Sequence, residues 1–169
     1  SYLEGLGAIQ NAWTDVDATA YWCKLPSEKW KEGLEMVKEL ALYPTIPNRD
    51  LEIERGVILE EIQRRNDRPD ELVAEALQIM MFPGNALGWT TLGKPEVIKD
   101  LSRADFLRYH QSQYKSDNLV VALAGEIGNW KLEIRDLIER WFGGLAKEKA
   151  GPCQLFIDKQ CASAFKVQN

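Results

Sequence analysis

Apolar residues recur at helical spacing in several segments of the chain. In residues 26–43 they fall at Trp30, Leu34, Val37 and Leu40, which lie on one side of a helix. Proline and serine open that segment, and the sequence YPTIPN ends it. The pattern predicts further helices over about 48–66, 69–81, 102–114 and 129–145, and a helix end at 2–6. Asn48 or Asp50 is the expected cap of the helix at 48–66, and a serine is the expected cap of the helix at 102–114.

Strand-like patterns lie between these helices. Residues 8–14 and 18–25 are rich in β-formers and are joined by the polar turn at 14–17, which predicts a hairpin. The segment 117–127 reads as a buried strand, and a weaker last strand is expected in 163–169. Strand pairs are interleaved with helices and show no regular βαβ alternation. The pattern therefore predicts an α+β fold, in which helices cover an antiparallel or mixed sheet.

The length of 169 residues fits one domain that buries a real core. The chain is 45% hydrophobic and 28% charged, a globular composition. We assign residues 1–146 to an α+β domain and residues 147–169, where the composition shifts, to a tail, a linker or the start of a further strand. The chain opens without methionine in a helix-like run, so we expect a processed chain or a fragment.

Charge and cysteine content exclude several classes of protein. The net charge is −5 and no basic stretch is interleaved with aromatic residues, so nucleic-acid binding is not expected. The apolar run at 119–125 is too short to cross a bilayer, so no membrane span is expected. Three cysteines without a CxxC pair favour a reduced compartment. We expect the cytoplasm, with an organelle or the periplasm as alternatives.

Two glutamates in the segment ERGVILEEIQ raise the main chemical question. Glu54 and Glu61 are seven positions apart, so they share one face of a helix, about 10 Å apart along its axis. Val57 and Ile58 flank them, which suggests half-buried carboxylates that need a strong partner such as a metal or an arginine. A structural role remains open, since Arg65 follows Glu61 by four residues, the favourable order for a helical ion pair.

The other chemistry-bearing residues form no complete site. His110 is the only histidine, and without HxxxH or HxxE spacing we interpret it as an ordinary helix residue. The chain contains no GxSxG nucleophile motif and no phosphate-binding glycine loop. The aromatic residues Trp13, Tyr21 and Trp22 on the predicted hairpin are expected mainly in the core. An exposed edge strand that binds an extended peptide is the alternative.

The order of four segments carries a further signal. They are GAIQNAWTDVDATAYWCKL, LEIERGVILEEIQ, FPGNALGWTTLGKPEVIKDLSRADF and YKSDNLVVALAGEI. Together they resemble the insulinase/pitrilysin family of zinc metallopeptidases, and within it the bacterial members of the processing-peptidase type. The similarity runs in register over residues 1–145 and rests on several segments rather than on one motif.

The resemblance implies a role for each residue that matches the family pattern. Members carry an inverted zinc motif, HxxEH, in which two histidines bind zinc and the glutamate is the general base. The third ligand is a later glutamate, the second of an E-x6-E pair. Glu61 is the zinc ligand by this resemblance, and Glu54 supports the metal site from behind it. Asn11, Ala12 and Trp13 match the edge strand that receives the substrate backbone in relatives.

This sequence departs from the family pattern in one large respect, because it contains no HxxEH. By the resemblance, that motif would lie upstream of residue 1. We therefore expect part of a zinc metalloendopeptidase that hydrolyses peptides or unfolded segments by zinc-activated water. The isolated chain should be inactive and should bind no zinc. The alternative is a non-catalytic peptide-binding or scaffold subunit. Family members enclose a chamber with two similar domains, so a homologous partner domain or a dimer is implied.

Overall fold

The computed structural model describes residue 5 and residues 7–16, 18–126, 128–144 and 164–165. The predicted helix end at 2–6 and most of the tail at 147–169 lie outside this part of the chain. The α+β class is confirmed, with helices as the larger share. The elements in chain order are β1 (Ile9–Thr14), β2 (Thr19–Lys24), α1 (Trp30–Leu42), α2 (Asn48–Asn66), α3 (Pro69–Met81), α4 (Pro95–Asp100), α5 (Arg103–Gln113), β3 (Val121–Ala122), α6 (Lys131–Phe142) and β4 (Ala164–Phe165).

The strands form two small sheets. β1 and β2 make the predicted hairpin, and its turn is closed where Asp15 N donates to Ala18 O at 2.8 Å. The strand predicted over 117–127 is shorter than expected, since only Val121–Ala122 is extended and paired. It pairs antiparallel with β4, with Val121 opposite Phe165. The last strand expected in 163–169 is thereby confirmed.

The helix predictions hold better inside the elements than at their ends. α3 begins at Pro69 and ends at Met81, as predicted. α2 begins at Asn48, but neither Asn48 nor Asp50 caps it, because Pro47 occupies the cap position and no side chain bonds there. α5 has the expected serine cap. Ser102 Oγ accepts from Asp105 N at 3.3 Å, and Asp105 Oδ2 accepts from Ser102 N at 2.9 Å, a reciprocal capping box.

The chain divides into two compact units. The first contains residues 1–10, 22–44 and 108–169, and the second contains residues 11–21 and 45–107. The assignment of residues 1–146 to one domain remains a prediction. The first unit holds most of the buried apolar side chains of the described chain, which are Trp30, Leu34, Ala41, Leu42, Val121, Ile134, Ile138 and Phe142. This core lies between the buried faces of α1 and α6, and Trp30 packs against Trp130 with ring centroids 6.3 Å apart. Leu40 of the predicted α1 stripe is 47% exposed, and its neighbours Ala41 and Leu42 are buried instead.

The second unit is built around α2. The chain enters this helix through Ile46, whose φ of 41° is unusual for a β-branched residue. Arg103 holds that turn, since its Nε donates to Ile46 O at 2.7 Å and its Nη2 donates to Thr45 O at 3.0 Å. These two hydrogen bonds fix the backbone immediately before α2.

Candidate functional site

Glu54 and Glu61 both lie on α2, two turns apart on the same face. Both carboxylates are exposed, so the expectation that they are half-buried is wrong. Val57, one of the two flanking residues, is itself 47% exposed. The reason lies in the inward stripe of α2, which is formed by Leu51, Arg55, Ile58, Leu59, Ile62 and Arg65. The two glutamates border this stripe instead of belonging to it.

Arg65 does not form the ion pair with Glu61 that its spacing suggests. Its Nη2 atom lies 3.5 Å from Glu75 Oε2 on α3 and 2.5 Å from Thr90 Oγ1 in the loop after α3. The Arg65 side chain is 17% exposed, so it points inward while Glu61 remains at the surface. The ion pair with Arg65 therefore does not explain Glu61, and the ion pairs between described residues do not include this carboxylate.

His110 has the structural role that its isolation in the sequence suggests. It lies on α5, and its Nε2 is 2.7 Å from the carbonyl oxygen of Ala41 at the end of α1. Because a carbonyl only accepts, Nε2 carries the proton in this contact. The ring stacks on Tyr114 with centroids 4.3 Å apart. These contacts occupy the histidine in packing the first unit.

The hairpin residues of the predicted substrate strand are all exposed. β1 shows an exposed side chain at every position from Ile9 to Thr14, and Trp13 is 51% exposed. On β2, Trp22 is 40% exposed, so the expectation that these tryptophans lie in the core is wrong. Asn11 Oδ1 accepts from Ala12 N at 2.8 Å, which gives this backbone donor a side-chain partner within its own strand.

A groove of about 510 Å³ lies in the first unit, between α1 and α6. Its lining mixes both signs of charge, and the ion pair between Lys31 and Glu133 lies on it. It includes none of the residues that the sequence singles out. The mixed charges and the absence of a buried polar group aimed into the described groove give it no defined ligand, so the candidate site remains on α2 and β1.

The donor set does not by itself fit a zinc ion. A zinc site in a protein takes three or four side-chain ligands, of which histidine and cysteine are the commonest. Within the part of the chain that the structure describes, no group of three His, Cys, Asp or Glu side chains is close enough to hold a metal. Glu54 and Glu61 alone supply two carboxylates. Further donors would have to come from outside the described residues.

Among the described residues, the candidate site therefore consists of two exposed carboxylates on α2 and the exposed strand β1, without a complete set of metal ligands. The sequence profile of the insulinase family (peptidase family M16) matches residues 1–95, and the chain belongs to this family. The resemblance of the four segments is thereby confirmed.

Among the described helices, none combines the length and apolarity that a bilayer span requires.

Curated relatives are similar over most of the chain. The beta subunit of mitochondrial-processing peptidase from Caenorhabditis elegans is 32% identical over 143 residues, which are 85% of this chain and 31% of the relative. The human beta subunit is 34% identical over 83% of this chain and 28% of its own length. The uncharacterized zinc protease YmxG of Bacillus subtilis is 30% identical over 86% of this chain and 35% of its own length. The chain thus spans about a third of these relatives.

A solved structure supports the fold. The crystal structure of a protease from Helicobacter pylori superposes with a TM-score of 0.77 and covers 88% of this chain and 36% of its own. The sequence identity is 23%, so this match speaks for the architecture alone. The described α+β elements therefore match part of the fold of that longer chain.

Proposed function

We propose that the chain is part of a zinc-dependent metalloendopeptidase that hydrolyses peptides or unfolded protein segments. The observation that carries the proposal is the pair Glu54 and Glu61 on one exposed face of α2, in a chain of the insulinase family. Glu61 is the zinc ligand in this proposal, and Glu54 supports the ligand set from behind. The bound ion would supply activation of the attacking water.

The isolated chain is proposed to be inactive. One or two carboxylates without histidines leave the zinc coordination sphere incomplete, and a ligand set that is incomplete binds the ion weakly. The contribution of this chain is then a fixed carboxylate pair, because Arg55 and Arg65 tie α2 to the residues packed against it. Stoichiometric, chelator-sensitive zinc in the purified 169-residue chain would contradict this proposal.

A chimaera tests the two glutamates directly. The HxxEH-bearing segment of a relative is joined in front of residue 1, and bound zinc and peptide hydrolysis are both measured. We expect Glu61→Gln to remove stoichiometric zinc, because a ligand is lost. Glu54→Gln should retain zinc with affinity lower by about 10- to 100-fold, the usual effect of removing a group that supports a ligand.

The matched control is Glu60→Gln. Glu60 is an exposed carboxylate next to Glu61 in sequence but on another face of α2. Its substitution removes the same charge from the same helix and should leave zinc content and hydrolysis unchanged. If Glu60→Gln lowers zinc content as much as Glu61→Gln does, a general loss of negative charge explains the result and the assignment of Glu61 is wrong.

We further propose that β1 holds the substrate by adding an extended peptide to the hairpin. The support is the full exposure of Asn11, Ala12 and Trp13. A strand that binds a peptide in this way offers backbone donors and acceptors, with side chains that select the sequence. The Ala12 N–H would exchange its Asn11 partner for the peptide backbone, and the exposed indole of Trp13 would pack against a peptide side chain.

A substitution at Ala12 separates backbone pairing from side-chain contacts. Ala12→Pro removes the N–H, and an edge position of a strand tolerates proline. We expect the affinity for a fluorescein-labelled unstructured peptide, measured by anisotropy, to fall about fivefold or more, since one backbone hydrogen bond is lost. Ala12→Val keeps the N–H and is the control. Equal affinity of the two variants would contradict strand addition.

The second candidate function is a non-catalytic peptide-binding or scaffold subunit. The exposed hairpin favours it, because peptide binding at β1 requires no metal. The coding sequence upstream of residue 1 discriminates the two candidates, because an HxxEH motif there supports the enzyme and its absence supports the non-catalytic subunit. Two relatives are named as beta subunits, which favours a homologous partner subunit or domain for this chain. Their names also favour an organelle, whereas the cytoplasm expected from the cysteines remains a prediction.

A further inference from the structure

Helix α3 exposes large apolar side chains and half-buries polar ones. Val73, Leu77 and Met80 lie at positions i, i+4 and i+7, on one face of the helix. They are 69%, 57% and 77% exposed. The half-buried positions of the same helix are Glu71, Glu75 and Gln78, which are polar. α3 therefore packs through its polar face.

Polar contacts connect that face to its surroundings. Glu75 is paired with Arg65 of α2 at 3.5 Å, and both side chains are largely buried, with 24% and 17% exposed. Gln78 Nε2 donates to Leu87 O at 2.6 Å, which ties the loop after α3 to the helix. The Arg65 Nη2 atom also donates to Thr90 Oγ1 at 2.5 Å. One guanidinium thus contacts both α3 and its loop.

Apolar burial contributes little to this part of the fold. Among the described residues, Ile62 is the only buried large apolar side chain of the second unit. The hydrophobic stabilisation of a compact unit scales with the apolar area it removes from water. Arg65 itself is imperfectly satisfied, since its Nε is buried and has no hydrogen-bond partner. The polar contacts that hold α3 against α2 therefore contribute little free energy of stabilisation.

We propose that Arg65 acts as a latch, which means that its contacts with Glu75 and Thr90 hold α3 and the loop of residues 82–92 against α2. When these contacts break, α3 and the loop open from α2 as one cooperative segment while the first unit stays folded. This inference does not depend on the proposed peptidase activity. Segments with few buried apolar contacts open at lower free energy than the core of the same protein. The first unit has such a core in the buried stripes of α1 and α6.

Hydrogen exchange of the full 169-residue chain tests the latch. In the unmodified protein, amides of α3 and the loop should exchange faster than amides of α1 and α6 at the same pH. Arg65→Met removes the contacts to Glu75 and Thr90 while keeping much of the side-chain volume. We expect it to accelerate exchange in α3 and the loop by about tenfold or more, with α1 and α6 unchanged.

Arg64→Met is the matched control, because Arg64 is an exposed arginine that precedes Arg65 in the same helix. It should leave exchange in α3 unchanged. Equal acceleration in both units by Arg65→Met, or no acceleration in α3, would overturn the proposal. Glu75→Gln and Thr90→Val each remove one contact and provide a milder test should Arg65→Met fail to fold. Each should raise exchange in α3 and the loop less than Arg65→Met does, and no change in either would also overturn the latch.

Discussion

Arg55 of α2 donates through Nη2 to the carbonyl oxygen of Leu101, at 2.7 Å and across 46 positions of the chain. Its Nη1 also donates to the carbonyl of Ile98. Both acceptors lie at the carboxyl end of α4, where carbonyls lack partners within the helix. Arg55 is 16% exposed, and Glu52 faces it one turn away at 3.2 Å. One side chain thus caps a distant helix and fixes the helix that carries Glu54 and Glu61.

Removal of this cap should destabilise the second unit. Arg55→Met leaves two carbonyls of α4 without their charged donor, so we expect a loss of about 1.5–3 kcal/mol in the free energy of unfolding. Urea denaturation followed by circular dichroism measures it. Arg49→Met, an exposed arginine on the same helix, should change stability by less than about 0.5 kcal/mol. Similar losses in the two variants would indicate a general charge effect.

Two glycines in helices should respond to alanine with opposite signs. A Cβ at Gly56 of α2 meets nothing within 4 Å, so Gly56→Ala should stabilise the chain by about 0.5–1 kcal/mol through reduced backbone entropy. A Cβ at Gly33 of α1 would lie 2.5 Å from Leu25 Cδ2 and 3.0 Å from Cys23 Sγ. Gly33→Ala should therefore cost about 1–3 kcal/mol by overpacking.

Thermal unfolding of the two glycine variants provides the comparison. Adding Leu25→Val to Gly33→Ala removes the methyl group closest to the new Cβ and should recover part of the lost stability. A Gly33→Ala variant as stable as Gly56→Ala would mean that Leu25 moves aside freely. The packing between the end of β2 and α1 would then be looser than the structure indicates.

Substitution of His110 should lower the stability of the first unit. His110→Phe keeps the stack on Tyr114 but leaves the Ala41 carbonyl without its donor, at an expected cost of about 1–3 kcal/mol. Nitrogen NMR of the unmodified chain should show a protonated Nε2. An unprotonated Nε2 would contradict the proposed direction of this hydrogen bond.

Burial raises the pKa of the Cys23 thiol above its ordinary value of 9.0. The pKa of this thiol is higher in the folded chain than in the unfolded chain. The contribution of the neutral thiol to the free energy of unfolding is therefore complete below pH 9.0 and is lost as the pH rises through the folded pKa. In a Cys153→Ser/Cys161→Ser background, iodoacetamide should therefore label Cys23 more slowly in the folded chain than in urea. Cys23→Ala should reduce the fall in stability at alkaline pH, and an unchanged alkaline profile would contradict this assignment.

Local patterns in the sequence predict much of the fold because they are satisfied within one element. The limits of α3 follow from Pro69 and the apolar spacing, and the capping box of Ser102 and Asp105 requires only three residues of separation. The hairpin is predicted for the same reason, since its turn is local. The strand at 117–127 is overestimated because extended pairing depends on a partner, and β4 pairs with only two of its residues.

The candidate site is harder to predict because it depends on contacts that sequence spacing does not contain. Helical spacing suggests that Arg65 pairs with Glu61, whereas the preferred partners Glu75 and Thr90 come from later segments. Periodicity places Glu54 and Glu61 on one face of α2 but does not determine how buried they are. Their burial depends on which face of the helix packs against the rest of the unit. Their proposed roles come from the family pattern and not from spacing.

The contact between Asn11 and Ala12 has a consequence for the behaviour of the protein in concentrated solution. An edge strand with free backbone donors and exposed apolar side chains is a template for uncontrolled growth of a sheet by other chains. β1 carries such side chains in Ile9 and Trp13. By accepting from the Ala12 N–H, the Asn11 amide occupies one donor of the strand. This local hydrogen bond therefore leaves one fewer backbone donor of β1 free to pair with another chain, which lowers the tendency of the exposed strand to aggregate.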